Sequence, residues 1–110
     1  MTGGDPRLFR HGEVRVTVDS DGFMVHPEDW TPAIGTAFAA ADGLTELTAE
    51  HWRVLEYLRD YWLRVDRAPL VRRLCQETGL TLSRIYELFP KGPAHGACRY
   101  AGLPRADGCV

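Results

Sequence analysis

The sequence has 110 residues, 45% of them hydrophobic and 25% charged, and a formal net charge of −2. These values are ordinary for one folded domain and exclude a wholly disordered, collagen-like or low-complexity chain. No apolar run could span a bilayer and no secretory signal is visible, so the expected compartment is the cytoplasm. The charge is uneven, −6 over residues 1–50 and +4 over residues 51–110, which suggests an anionic or acidic partner for the second part.

The first quarter of the chain predicts a small β-hairpin. Residues 1–12 are polar and rich in glycine, so we predict a disordered leader. In the next six residues, Val14, Val16 and Val18 alternate with polar residues, which is typical of a half-buried strand. A turn over 19–22 and a short return strand over 23–25 complete the predicted hairpin.

The rest of the chain predicts helices, because apolar residues recur at helical spacing between capping residues. The fold class is therefore mainly α: a small helical domain over 13–102 with an N-terminal hairpin, followed by a flexible C-terminal arm over 103–110. The predicted helices run from Pro32 to Ala41, over 48–66, from Pro69 to Gly79, from Leu82 to Phe89 and from Pro93 to Tyr100.

Two of these helices, 69–78 and 81–88, resemble a helix-turn-helix pair. Arg72, Arg73 and Arg84 could meet phosphates. The second helix, however, is short and mostly apolar, and the chain is net acidic. Ordinary packing is the simpler interpretation, and nucleic acid is not expected as the main partner. A helix-turn-helix DNA-binding regulator with a cysteine redox switch remains the alternative from another functional class.

The sequence predicts neither a metal site nor a bound cofactor. His95, Cys98 and Cys109 could approach one another, but a structural zinc site needs four ligands and usually a Cys-x-x-Cys pair, which this sequence lacks. Neither nucleotide-binding fingerprint is present.

The cysteines carry most of the functional argument. Cys75 lies on an apolar helix face and is predicted to be structural. Cys98 has His95 three residues before it and Arg99 directly after it, and cationic neighbours favour a thiolate. Cys109 is the second-to-last residue, on an arm that could extend about 25 Å from the body. It could therefore turn back to Cys98 or project away, as in covalent carriage of a small group, although two incidental cysteines are the simpler alternative.

The strongest motifs lie between residues 88 and 110 and end on the Gly-Cys-Val terminus. With them, the sequence resembles the DsrC/TusE family of sulfur-relay proteins over about residues 13–110. The charged insertion of DsrC itself is absent here. The matching segments are Phe89-Pro90, Gly92-Pro93, Ala97-Cys98-Arg99, Ala101-Gly-Leu-Pro104 and Gly108-Cys-Val110.

The resemblance implies specific roles for the C-terminal residues. The penultimate cysteine, Cys109, would carry sulfur as a persulfide. Cys98 would be the resolving thiol that closes a disulfide, or traps sulfur as a trisulfide, with Arg99 and His95 as auxiliary residues. Having both cysteines places the chain nearer DsrC, the protein co-substrate of dissimilatory sulfite reductase, than TusE.

The resemblance also implies the partners. They would be a DsrEFH- or TusBCD-type sulfurtransferase, and dissimilatory sulfite reductase or another sulfur-handling oxidoreductase. The protein would act as a relay protein or co-substrate of sulfurtransferase type rather than as a turnover enzyme. A TusE-type relay towards 2-thiouridylation of transfer RNA is the second alternative.

Overall fold

A computed structural model describes residues 6–104. It is mainly helical with an N-terminal two-stranded antiparallel hairpin, as the sequence predicts. None of the helices in residues 6–104 combines the length with the apolar composition that spanning a bilayer requires. The elements are β1 (Arg7–His11), β2 (Val14–Val18), a 3₁₀ turn (Pro27–Asp29), α1 (Pro32–Ala41), α2 (Ala49–Val65), α3 (Val71–Thr78), α4 (Leu82–Leu88) and α5 (Pro93–Cys98).

The hairpin lies earlier in the chain than predicted. β1 pairs with β2 through a two-residue turn, in which Gly12 has the φ of +60° that the first position of a type II′ turn requires. The prediction of a disordered leader is therefore wrong for residues 7–12. The ring of Phe9 lies 4.8 Å from that of Phe38 in α1, a long-range contact that local sequence does not reveal. The predicted return strand is reduced to one bridge between Met24 and Val18.

Three helices begin where their capping residues predict. The side chains of Thr31, Thr48 and Thr81 each accept a hydrogen bond from the backbone N–H three residues later, as N-caps do. α3 begins at Val71 rather than Pro69, because Leu70 keeps an extended backbone.

The last helix differs from the prediction in its winding. α5 is a π-helix, preceded by Gly92 at a φ of +90°. In a π-helix each N–H bonds five residues back, and such segments are frequent at functional sites. Two helical residues, Arg99 and Tyr100, continue it.

One hydrophobic core joins the inner face of the hairpin to all five helices. Leu103, assigned from the sequence to the arm, is 1% exposed within this core, so the packed body extends at least to that residue. The largest fully buried side chains are Tyr100, Phe38, Phe89, Met24, Leu55, Leu58, Leu74, Ile85, Leu103 and Val54.

Candidate functional site

Cys98 is the last residue of α5 and is only 3% exposed. Its side chain belongs to the core cluster, so the sulfur is shielded by the packed body. Cys75, in α3, is half-buried against the same core, which fits the structural role predicted for it. Cys109 lies outside the described residues, so its predicted role as persulfide carrier stays a prediction.

The two residues after Cys98 are fixed by one carboxylate. Asp42, at the C-terminal end of α1, forms an ion pair with Arg99 and accepts a 2.7 Å hydrogen bond from the Tyr100 hydroxyl. The side chains of Arg99 and Asp42 are 11% and 18% exposed. Burial, with the hydrogen bond to this carboxylate, raises the pKa of Tyr100 above its usual value. The phenol therefore stays protonated as a donor to Asp42.

Two half-buried side chains, Trp30 and Arg59, hold the backbone that follows. The indole Nε1 of Trp30 donates to the carbonyl of Tyr100 at 2.8 Å. Arg59 donates to the carbonyls of Ala101 and Gly102 at 3.3 and 3.4 Å. The Arg59 guanidinium also lies over the Trp30 ring, 5.0 Å from its centroid. Burial lowers the pKa of Arg59 from its usual value.

A backbone hydrogen bond closes this turn next to the cysteine. The N–H of Leu103 donates to the carbonyl of Cys98 at 3.1 Å. Gly102 has a φ of +78°, and a Cβ built there would lie 2.3 Å from Cδ1 of Trp30. Glycine is therefore required both by the backbone conformation and by the close approach of the indole.

His95 and Cys98 differ in exposure. His95 is exposed, and the centroid of its ring lies 5.5 Å from that of Phe23 in a T-shaped arrangement, whereas Cys98 is buried. Residues three apart are neighbours on the surface of an α-helix. In the wider π-helix a turn contains more residues, so the side chains of His95 and Cys98 are turned further away from each other. The auxiliary roles of His95 and Arg99 stay predictions, and Arg99 already has Asp42 as its ionic partner.

Sequence reasoning missed two residues that shape this site. The first is Asp42, for which the sequence contains an indication: an acidic residue at a helix C-terminus interacts unfavourably with the helix dipole and suggests a distant cationic partner.

The second missed residue is His51, which is 6% exposed. Its Nδ1 accepts from the Thr48 N–H at 3.0 Å, so its Nε2 is the donor to the Leu88 carbonyl at 2.7 Å. It joins the start of α2 to the end of α4.

In the helix-turn-helix-like pair, α3 and α4, the cationic side chain of Arg84 is not free to meet phosphates, because it is paired with carboxylates. Arg84 forms ion pairs with Glu50 of α2 and, at 3.1 Å, with Glu87. The hydrogen bond from Arg84 lowers the pKa of Glu50. Arg84 is therefore paired with two carboxylates at the surface, which leaves the DNA-binding alternative with Arg72 and Arg73 alone. Large exposed apolar side chains, Leu82 and Tyr86, lie on α4 itself.

A surface cleft of about 660 Å³ lies between the hairpin and α5. Its basic side chains come from both walls, Arg7 and Arg10 from β1 and Lys91, His95 and Arg99 from the α5 region. Its lining residues are Arg7, Leu8, Phe9, Arg10, Val18, Asp21, Gly22, Asp42, Lys91, His95 and Arg99.

These features define a class of protein: a small helical domain with a buried cysteine at the end of a π-helix and a fixed turn directly after it. The family model described as "DsrC like protein" matches residues 10–110, a range that includes both Cys98 and Cys109. The chain belongs to the DsrC-like family.

Similar proteins carry two kinds of name. The chain is 41% identical over 93 residues to the gamma subunit of dissimilatory-type sulfite reductase from Nitratidesulfovibrio vulgaris, covering 84% of this chain and 89% of that one. It is 34% identical over 102 residues to sulfurtransferase TusE from Salmonella typhimurium, covering 86% and 93%. The crystal structure of oxidized DsrC from Archaeoglobus fulgidus superposes with a TM-score of 0.82 at 38% identity, over 94% of this chain and all of that one.

Proposed function

We propose that this protein is a sulfur carrier that accepts sulfane sulfur on Cys109 and passes it to a partner, with Cys98 as the resolving thiol. Membership of the DsrC-like family supports a sulfur-relay role. The names of its relatives, a sulfite reductase gamma subunit and a sulfurtransferase, support the same role.

The observation that carries the proposal is the hydrogen bond from the Leu103 N–H to the Cys98 carbonyl. It fixes the start of the C-terminal segment beside the backbone of Cys98. Cys109 follows Pro104 by five residues, a span of at most about 18 Å when fully extended. This reach is long enough for Cys109 to return towards Cys98, whose buried sulfur must be uncovered locally before the two thiols can meet, or for Cys109 to meet a second protein beyond the body.

The chemistry needs no bound cofactor. The Cys109 thiolate attacks the outer sulfur of a donor persulfide, the donor's S–S bond breaks, and the donor leaves as a thiolate. Cys109 then holds a persulfide, with no net oxidation. If the Cys98 thiolate next attacks the inner sulfur, a Cys98–Cys109 disulfide forms and hydrogen sulfide leaves. A reductant that supplies two electrons then reduces the Cys98–Cys109 disulfide back to two thiols.

The family relationship suggests the partners. The donor would be a sulfurtransferase of the DsrEFH or TusBCD type, and the second partner would be dissimilatory sulfite reductase or another sulfur-handling oxidoreductase, with the cytoplasm as the expected compartment. The protein would be a co-substrate in this scheme. Relay towards transfer-RNA thiolation is the second candidate, favoured by the similarity to sulfurtransferase TusE.

Intact mass after exposure to a persulfide donor tests the carrier role. The reduced wild-type protein and the matched Cys75→Ser variant should each gain the mass of sulfur, whereas Cys109→Ser should not. Peptide mapping without reductant should then find the Cys98–Cys109 pair in the wild type. Equal loading of Cys109→Ser and the wild type would refute the assignment.

A further inference from the structure

The cleft between the hairpin and α5 runs along the outer edge of β1. Four consecutive residues, 7–10, line it. Because side chains of a strand alternate between its faces, a cleft that touches four in a row reaches the strand's edge. At the Arg7 end the cleft also reaches Val18 of β2 and the turn at Asp21 and Gly22. The opposite wall includes His95 and Arg99, which flank Cys98 in sequence.

The backbone of that edge is available for a further strand. His11 and Val14 close the two-residue turn as a hydrogen-bonded pair, so Leu8 and Arg10 occupy the alternate positions, where N–H and C=O point away from β2. Within residues 6–104, β1 pairs with β2 alone. Unpaired groups on an edge strand are a template for another extended chain.

Four basic side chains, Arg7, Arg10, Lys91 and Arg99, outnumber the two carboxylates that line the cleft, Asp21 and Asp42. This excess of positive charge favours an acidic occupant. Arg7, Arg10 and Lys91 are exposed, and none forms an ion pair with a carboxylate of the described residues. Arg7 donates instead to the carbonyl of Ser20 at 3.2 Å. Leu8, 56% exposed, adds an apolar contact between the basic groups.

We propose that this cleft docks an extended acidic segment of a partner protein as a third strand against β1. Strand addition draws affinity from backbone hydrogen bonds and selectivity from alternate side chains. The cleft of about 660 Å³ has the volume of roughly twenty water molecules, far more than one small oxyanion fills. A partner held there would contact the helix that ends in Cys98.

A synthetic peptide of alternating Glu and Val, with blocked ends, tests this on the full chain. Addition of the peptide should shift the amide resonances of Leu8 and Arg10 and slow the hydrogen exchange of these amides. The affinity for the peptide should fall as the salt concentration is raised. Arg10→Ser and Lys91→Ser should each weaken binding about three- to tenfold. Arg15→Ser is the matched control, because Arg15 pairs with Arg10 across the hairpin and does not line the cleft.

A proline at position 8 separates strand addition from simple charge attraction. Leu8→Pro removes an outward N–H that the hairpin does not use, so the folded variant should lose most of its peptide affinity while keeping all its arginines. The proposal is overturned if the peptide fails to bind, or if Leu8→Pro and Arg10→Ser bind it like Arg15→Ser. It is also overturned if sodium sulfate or thiosulfate at matched ionic strength reproduces the same shifts. None of these readouts depends on sulfur loading of Cys109.

Discussion

The hydroxyl of Tyr100 donates a 2.7 Å hydrogen bond to the carboxylate of Asp42, which lies 58 residues earlier in the chain. The same carboxylate pairs with Arg99. Asp42 therefore joins the end of α1 to both residues that follow Cys98. Its loss would leave a mostly buried guanidinium without its ionic partner, which is a costly change inside a protein.

Asp42→Ala should destabilise the fold by about 3 kcal/mol, because it breaks a largely buried ion pair and its neighbouring hydrogen bond together. Denaturant unfolding measures the change. Asp60→Ala is the control, since it removes an exposed pair with Arg64 on the surface of α2 and should cost no more than about 1 kcal/mol. Similar losses for the two variants would contradict the role given to Asp42.

Alkaline stability should depend on Tyr100. Its pKa is raised on folding by burial and by the bond to Asp42, so its contribution is complete below the unfolded tyrosine pKa of about 10. The contribution is then lost as the pH rises towards the folded value. Denaturant unfolding of wild type and Tyr100→Phe at pH 8 to 11 tests this.

The difference in unfolding free energy between these proteins should shrink above about pH 10. Tyr86→Phe, which removes an exposed hydroxyl, serves as the control. A Tyr100→Phe difference that stays constant over the whole range would be inconsistent with this prediction.

Comparing the stabilities of Gly102→Ala and Gly43→Ala separates the cost of a strained backbone from the cost of a steric clash with Trp30. Both glycines have positive φ, +78° and +93°, but only at Gly102 would a new Cβ meet the Trp30 ring. Gly43→Ala should cost about 1 kcal/mol for the left-handed backbone. Gly102→Ala should cost at least about 3 kcal/mol more and change the tryptophan fluorescence, to which Trp30 contributes together with Trp52 and Trp62. Equal losses in thermal stability would argue against the clash.

His51→Ala should destabilise the protein by about 2 kcal/mol, because the buried Leu88 carbonyl loses its donor and the Thr48 cap loses half of its capping box. Chemical unfolding provides the measurement, and hydrogen exchange of α4 should rise with it. Arg53→Ala, two residues along α2 on its outer side, is the comparison and should change stability by less than about 0.5 kcal/mol. A neutral His51→Ala would remove the joining role given to this side chain.

The fold could be predicted from the sequence where the signals are local. Thr31, Thr48 and Thr81 marked the helix starts because capping depends on neighbours within one turn. β1 was missed because only Leu8 and Phe9 are apolar in it and its stability comes from packing on α1. The π-helical winding of α5 was missed for a similar reason, since propensity does not distinguish it from an α-helix.

In the candidate site, too, the sequence predicts what depends on local signals and misses what depends on distant contacts. Cys98 was found as a candidate from its position in the motif, but its burial depends on the whole core. The network of Asp42, Arg99 and Tyr100 joins residues nearly 60 positions apart, beyond any periodic pattern. Sequence reasoning found the thiols, and the structure adds what holds the chain around one of them.

The backbone hydrogen bond between Leu103 and Cys98 determines how concentrated the Cys109 thiol is around Cys98. Since the segment starts beside Cys98, Cys109 stays within about 18 Å of Pro104 whatever path the chain takes between them. One thiol confined to such a volume corresponds to an effective concentration on the order of tens of millimolar. In the proposed relay, Cys98, once its buried sulfur is uncovered, would compete for Cys109 with any external thiol below that level, and the rate of ring closure would not depend on the protein concentration. A partner that held Cys109 away from Cys98 would remove this competition for as long as it remained bound.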